Sequence, residues 1–231
     1  MKVVLDIETV PCPDSQRSLL PSIKPPAYLK EETKIRAWQR EELPRLKEQQ
    51  YLATALDSTW GRLICVGLMA FSRDLDFEVA FAIYGENEKK LLRSFWQKIK
   101  EFKNPYLITH NGLSFDLPFI WKRSVIHQVQ PTMEFKLNRY RTDYVYDTMA
   151  VWSNWDLRNA IKLSLLAKVL GVEEKMGEGS QVYEMWKAHK LKDIADYCMQ
   201  DTYVTYACYC RMIFRQWVER SKIKVKYLRI D

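Results

Sequence analysis

The run of residues 61–71 is almost continuously apolar and reads GRLICVGLMAF. A strand with one face in water alternates apolar and polar residues, whereas a strand buried on both faces does not. The run therefore predicts a strand in the interior of a sheet whose two faces are both covered. Helices packed on both faces meet that requirement, which favours an α/β fold.

The remaining predicted elements fit the same fold class. Further β-rich runs occupy residues 2–8, 77–84, 106–109 and 144–146, and an alternating run at 223–230 is typical of a half-exposed edge strand. Helical patterns occupy residues 87–102, 163–170 and 191–218, and another helix is predicted to begin near Asp116. This order of strands and helices predicts a mixed sheet flanked by helices.

Residues 10–58 interrupt the pattern between the first two strands. The five prolines between positions 11 and 26 break regular structure, and residues 30–50 predict a polar surface helix that Pro44 interrupts. We predict one domain, residues 1–231, with 10–58 as an insertion. Acidic residues balance much of its basic charge, so we expect it to form a cover or to face a partner.

The chain carries no pattern typical of membrane or secreted proteins. No run approaches the roughly 18 apolar residues of a membrane-spanning helix, and acids at positions 6 and 8 interrupt the place of a signal peptide's apolar stretch. The five cysteines lack the spacing of a disulfide framework, which favours buried thiols in a reducing compartment. We therefore expect a cytoplasmic protein without a membrane partner.

Four acidic residues lie near the ends of predicted elements, and each has an ordinary structural alternative. Asp6 and Glu8 share one face at the carboxyl end of the first strand, or form a polar edge. Asp116 lies where a helix begins and is in a position typical of a helix cap. Tyr197 and Asp201 lie one helical turn apart, where they could form a surface pair.

Together these residues form the order D-x-E, then N-x-x-x-F-D, then Y-x-x-x-D. This combination resembles the DEDD superfamily of 3′→5′ exonucleases in its tyrosine-containing subclass, and most closely the exonuclease domain of family-B DNA polymerases. The histidine subclass would place a histidine at position 196, where this chain has aspartate. The resemblance extends over LDIET, HNGLSFDLPFI, YDT, LSLLAKVLG and YCMQDTYVT.

The resemblance implies an RNase H-like fold with a central five-stranded mixed sheet. It also implies that Asp6, Glu8, Asp116 and Asp201 hold two divalent cations, Mg²⁺ or Mn²⁺. Hard cations prefer carboxylate oxygens, and two of them can stabilise both oxygens of an in-line phosphodiester displacement. Tyr197 would orient the attacking water, because a phenol with an ordinary pKa near 10 is a poor base at neutral pH.

The predicted substrate is the 3′ end of single-stranded DNA. The net charge of +7 favours a polyanionic partner. We expect substrate contacts from Asn111 and Phe115, on the loop that presents Asp116, and from Arg139 and Arg141 in a basic and aromatic segment. Asn111-Gly112 is also a common turn pair. Asp147, at the end of a strand, is expected to cap a helix or support the site.

Three other functions remain open at this stage. An RNase D-like exoribonuclease would use the same acids, and only contacts to the 2′-hydroxyl would distinguish it. A non-catalytic relative would bind nucleic acid or a polymerase, although such proteins usually lack one of the acids. An RNase H-like endonuclease would lack the Y-x-x-x-D arrangement. DNA repair, or proofreading with a polymerase partner in trans, is the biological role that the resemblance implies.

Overall fold

A computed structural model describes residues 1–172 and 181–231 and contains one six-stranded sheet. Its strands are β1 (Lys2–Val10), β2 (Arg62–Phe71), β3 (Phe77–Gly85), β4 (Tyr106–Thr109), β5 (Val145–Asp147) and β6 (Val225–Ile230). They lie in the order β5-β4-β1-β2-β3-β6. The pairs β1–β4, β4–β5 and β3–β6 are parallel and β2–β3 is antiparallel, so the sheet is mixed.

The prediction of five strands is wrong, because the last strand joins the same sheet. β6 pairs in parallel with β3, from Ala80 opposite Val225 to Gly85 opposite Ile230. Its alternating pattern predicts a half-exposed strand, and β6 is indeed an edge strand with every residue partly or largely exposed. The pattern alone does not reveal which strand it pairs with, because alternation reports burial and not the partner.

The helices lie between and after the strands. They are α1 (Glu32–Glu41), α2 (Leu43–Ala53), α3 (Glu88–Glu101), α4 (Asp116–Ile126), α5 (Thr148–Trp152), α6 (Leu163–Leu170), α7 (Gln181–Lys187) and α8 (Leu191–Met212). The predicted bounds of α6 are confirmed, and α3 and α4 lie where helices were predicted. Pro44 lies at the start of α2, where it divides the predicted polar helix into two. The short helices α5 and α7 were not predicted.

Helix α8 ends six residues before the predicted bound, at Met212. Phe214 adopts a left-handed conformation with φ 57°. The N–H of Arg215 then bonds the carbonyl of Cys210, and the N–H of Phe214 bonds that of Arg211. This is the Schellman arrangement that usually has glycine at the left-handed position. Because the chain has phenylalanine there, the sequence contains no stop signal.

Both faces of β2 are covered, as its apolar sequence predicts. Val66, Leu68 and Ala70 belong to a core cluster that includes residues of α3 and α4. On the opposite face, a Cβ added at Gly67 would lie 2.4 Å from the Thr202 hydroxyl oxygen of α8. Only glycine therefore lets α8 pack this closely on the sheet.

The chain divides into two compact units. One comprises Met1–Glu8 and Leu63–Asp231; the other comprises Thr9–Arg62, and the predicted insertion at 10–58 falls within it. Inside the second unit, the Cys12 N–H donates to the Thr54 hydroxyl at 3.0 Å and the Thr9 hydroxyl donates to the Ala55 carbonyl at 2.7 Å. No helix in the described ranges combines the length and apolar character needed to cross a membrane.

Candidate active site

Strand β1 directs two carboxylates to one face of the sheet. Val3, Leu5 and Ile7 belong to the core cluster that includes α3 and α4. Because side chains alternate along a strand, Asp6 and Glu8 point to the opposite face. Asp6 is partly buried, and Glu8 is buried with 8% of its surface exposed. The sheet therefore holds two acids side by side with little water around them, as the D-x-E spacing predicts.

Helix α8 brings a thiol to these acids. The Cys198 sulfur lies 3.6 Å from Asp6 Oδ2 and 3.5 Å from the Asp6 carbonyl oxygen. One ligand atom from each of Asp6, Glu8 and Cys198 lies within 4.8 Å of the others. In the described ranges no other acid, cysteine or histidine completes such a group, so Asp116 and Asp201 lie outside it.

Cys198 is the site residue that sequence reasoning missed, because it was taken as an ordinary buried apolar residue. Tyr197 precedes it, and Asp201 follows one helical turn later; both are buried on α8. Positions i and i+3 of a helix lie on neighbouring parts of its surface, so this spacing could have identified Cys198. Burial raises the pKa of its thiol well above the usual range, and Cys65, Asp6 and Glu8 raise it further.

Asp116 is the first residue of α4 and not its cap. Phe115 occupies the cap position, and no side chain hydrogen-bonds there, so the helix-cap alternative is wrong. The Asp116 side chain is 3% exposed, and its Oδ1 has no hydrogen-bond partner. Burial raises the pKa of Asp116 to about 8; backbone N–H groups of Asp116 and Ile7 lower it in part, and the charge of Asp147 raises it.

Asp147 organises the loop that presents Asp116. Its carboxylate accepts hydrogen bonds at 2.9 Å from the backbone N–H groups of Asn111 and Leu113. The same carboxylate caps α5 by accepting from Met149 and Ala150 at 3.1 Å. The predicted capping role is therefore confirmed, and the loop bonds show that the residue also supports the site.

The turn at Asn111-Gly112 shapes the same loop. Asn111 adopts a left-handed conformation with φ 65°, and its carbonyl accepts from the N–H groups of Ser114 and Phe115. A Cβ added at Gly112 would lie 2.4 Å from the Cβ of Thr109, so the chain can pass there only as glycine. The expected turn is confirmed, and it leaves the Asn111 side chain partly exposed at its corner.

The other residues expected to contact substrate lie at different depths. Phe115 is partly buried beside the core cluster, with its ring centroid 5.5 Å from that of Phe119. Arg139 and Arg141 are exposed on the segment between α4 and β5. The ionic contact between Arg141 and Asp143 is loose, at 3.8 Å. Both arginines therefore lie where a phosphate could reach them from solvent.

The donor set at this end of the sheet fits hard divalent cations. Asp6 and Glu8 supply carboxylate oxygens from alternate positions on one face of β1. The carboxylate of Asp116 is buried with one oxygen unsatisfied. Such burial is costly for a carboxylate, and a cation that prefers oxygen ligands would offset the cost. The three acids therefore have the chemistry of a site for a cation such as Mg²⁺.

Comparison with known proteins finds a family model that covers most of the chain. The model is described as a predicted 3′-5′ exonuclease related to the exonuclease domain of PolB, and it matches residues 49–227. The match includes Asp116, Tyr197 and Asp201, and Asp6 and Glu8 lie before it.

Two curated relatives are DNA polymerases. A DNA polymerase of Thermococcus litoralis is 26% identical over 138 residues, which are 52% of this chain and 8% of the relative. The DNA polymerase epsilon catalytic subunit of Aspergillus fumigatus is 24% identical over 150 residues, which are 60% of this chain and 7% of the relative. The chain thus spans less than a tenth of the length of either curated relative.

One similar solved structure is that of the family B DNA polymerase from Pyrobaculum calidifontis. It matches with a TM-score of 0.56 at 15% identity, over 92% of this chain and 24% of that one. At this identity the likeness concerns the fold. The fold of the chain is accordingly α/β and RNase H-like, as the sequence predicts, with six strands where five were expected.

Proposed function

Because the chain belongs to the family of predicted 3′→5′ exonucleases related to the exonuclease domain of PolB, we propose that it is a metal-dependent 3′→5′ exonuclease acting on single-stranded DNA. The observation that carries the proposal is the pair Asp6 and Glu8, directed from one strand to one face beneath α8. A phosphodiester would be repelled by these acids alone, so the proposal requires cations in the same place.

In this proposal Asp6, Glu8, Asp116 and Asp201 hold two Mg²⁺ or Mn²⁺ ions. When bound, such ions supply a lowered pKa for water and stabilise the charge that develops on the phosphate oxygens. The arrangement of Asp6 and Glu8 supports ligation from β1. The unsatisfied buried oxygen of Asp116 supports ligation from α4. Asp201 is 5% exposed on α8 and is proposed from its place in the Y-x-x-x-D motif.

The chain's own residues would orient the substrate and the water. Tyr197 is 7% exposed one turn before Asp201, so its hydroxyl is in a restricted position suited to orienting a water molecule. Asp147 fixes the loop before Asp116 through bonds to Asn111 and Leu113. The tyrosine at 197 and the aspartate at 196 support assignment to the tyrosine-containing subclass.

Substrate recognition is assigned to the loop before α4 and to the exposed basic segment. Asn111 and Phe115 are partly exposed beside Asp116 and could contact the terminal nucleotide by hydrogen bonding and stacking. Arg139 and Arg141 are exposed and would neutralise phosphates farther along the strand. The net charge of +7 supports binding of a polyanion.

Digestion of matched oligonucleotides tests this function. Single-stranded DNA and RNA of one sequence carry a 5′ label, and each is offered with a free or a blocked 3′ end, in Mg²⁺, Mn²⁺ or chelator. We expect a ladder that shortens from the 3′ end of DNA, only with metal and only with a free 3′ end. Cleavage of 3′-blocked strands at internal sites would establish an endonuclease instead, and degradation restricted to RNA would establish an exoribonuclease.

A further inference from the structure

The thiol of Cys198 lies among the carboxylates proposed to hold Mg²⁺, where oxygen ligands would suffice. Its side chain is completely buried, and its sulfur lies 3.6 Å from Asp6 Oδ2. One oxygen of Glu8 completes a group of three ligand atoms within 4.8 Å of one another. Two carboxylates and one sulfur are a ligand set that Mg²⁺ does not require and that thiophilic cations prefer.

The spacing of these atoms matches tetrahedral coordination. With Zn–S near 2.3 Å and Zn–O near 2.1 Å, a tetrahedral angle separates the sulfur and oxygen by about 3.6 Å. The Cys198 sulfur and Asp6 Oδ2 lie 3.6 Å apart. Three protein ligands with a fourth position left open is also the usual composition of a non-structural zinc site. The ligand atoms would therefore need little movement to bind such an ion.

The packing of α8 on the sheet fixes the sulfur in this position. A Cβ added at Gly67 would lie 3.1 Å from the Cys198 sulfur, so the glycine of β2 leaves just the room that the sulfur occupies. The Asp6 carbonyl lies 3.5 Å from the sulfur on the β1 side. Nearby, the buried Asp116 Oδ1 has no hydrogen-bond partner, and the Asp116 carboxylate is bonded by the N–H of Ile7, the residue between Asp6 and Glu8.

We propose that Cys198, Asp6 and Glu8 form a site for Zn²⁺ that overlaps the proposed Mg²⁺ site, so that Zn²⁺ competes with Mg²⁺ there. The inference rests on the proposed function in that Asp6 and Glu8 serve both ions. On binding, a Zn–S bond forms, the thiol proton passes to solvent water, and the ion gives up water molecules. Mg²⁺, which favours oxygen ligands, would leave the thiol protonated.

Cadmium tests this site because it replaces zinc and its bond to a thiolate absorbs in the ultraviolet. The full chain, freed of metal and without nucleic acid, is titrated with Cd²⁺. All five cysteines are buried, and in the described part of the chain only Cys198 belongs to a group of metal ligands. We expect one equivalent of Cd²⁺ to produce the thiolate band, and excess Mg²⁺ to shift the titration to higher Cd²⁺ concentration.

Variants assign the band to its thiol. We expect Cys198→Ala to lose it and to bind Cd²⁺ at least about tenfold more weakly, the scale on which single contacts change metal affinity. Cys208→Ala is the matched control, because Cys208 is equally buried on the same helix and outside the ligand group. It should keep the band. Circular dichroism verifies that each variant is folded, and Cys198→Ser replaces Cys198→Ala if the latter is not.

Several results would overturn the proposal. A wild-type chain that gives no band has a thiol that serves only as a hydrogen-bond donor to Asp6, whatever the variants do. A band that persists in folded Cys198→Ala belongs to another cysteine. Neither result depends on hydrolysis, whereas failure of the wild type to shorten DNA in Mg²⁺ would reject the proposed exonuclease and leave the cadmium result standing.

Discussion

Two buried carboxylates in the same unit, Glu88 and Asp116, have different surroundings. Glu88, at the start of α3, is 6% exposed and accepts hydrogen bonds from Arg123 at 2.7 and 2.8 Å and from His127 at 2.7 Å. It also accepts from the Leu63 N–H at 2.8 Å. Burial alone would raise the pKa of Glu88, but the bonds from His127 and Arg123 outweigh it and lower the pKa below its ordinary value.

Asp116 is as deeply buried as Glu88, yet its pKa moves the other way. Burial raises it to about 8, and one carboxylate oxygen has no hydrogen-bond partner. A fold that places Arg123 against Glu88 is able to neutralise a buried acid, so the different surroundings of Asp116 indicate a site that takes its cation from solution. A costly, incompletely satisfied carboxylate of this kind is typical of a functional site.

Removing the internal cation should give the largest change in stability. We expect Arg123→Met to lower the free energy of unfolding by about 3–5 kcal/mol, because it leaves the buried Glu88 charge without its main partner. Urea denaturation measures the change. Lys122→Met, on the neighbouring exposed position, should change stability by less than about 0.5 kcal/mol. Equal effects of the two variants would contradict the role given to Arg123.

Asp147 lies between these two cases, since backbone N–H groups supply its hydrogen bonds. We expect Asp147→Asn to cost about 2–3 kcal/mol, because an amide NH₂ would face backbone donors that then lack an acceptor. Asp143→Asn, an exposed change on the same segment, is the control. If Asp147 positions the loop before Asp116, the variant should also weaken Mn²⁺ binding, as followed by calorimetry; unchanged Mn²⁺ affinity would leave Asp147 with a purely structural role.

Asp116 should show the opposite sign in the absence of metal. We expect Asp116→Asn to stabilise the metal-free chain by about 1 kcal/mol at neutral pH, as is common when a functional charge is removed. The folded pKa is raised, so the folded wild type loses stability as pH rises from the ordinary carboxyl range towards 8. The gain should therefore be smallest in acid and grow with pH.

Thermal unfolding of both proteins across this pH range, with and without Mn²⁺, measures the effect. Saturating Mn²⁺ should reverse the order, because only the wild type keeps the full set of oxygen ligands. Asp74→Asn, an exposed change in the loop after β2, should show neither effect. A destabilised metal-free Asp116→Asn would show that the carboxylate serves the fold and not a cation.

Much of the fold could be predicted from the sequence because burial patterns encode it. The apolar run of β2, the alternation of Asp6 and Glu8 with apolar neighbours and the amphipathic α3 each lie within a residue or two of their predicted bounds. The end of α8 and the partner of β6 could not be predicted. The first depends on a left-handed phenylalanine, and the second depends on pairing that alternation does not report.

For the site, the sequence predicts which acids share a strand face or a helix but not what lies between elements. Asp6 and Glu8 are brought together as predicted. The approach of Cys198 to Asp6 joins residues 192 positions apart, and it depends on Gly67 letting α8 close on the sheet. The depth at which Asp116 is buried likewise follows from tertiary packing. A sequence pattern carries none of these distances.

Hydrolysis by wild-type chain and Asp6→Asn, assayed side by side, tests the central claim most directly. Asn keeps the size of the side chain but removes the charge that would hold cations, and circular dichroism verifies the fold. With 5′-labelled single-stranded DNA and Mg²⁺, we predict a 3′-shortening ladder from the wild type and a rate at least roughly 10³-fold lower from Asp6→Asn, since charge stabilisation at the phosphate is lost. Comparable ladders from the two proteins would contradict the account.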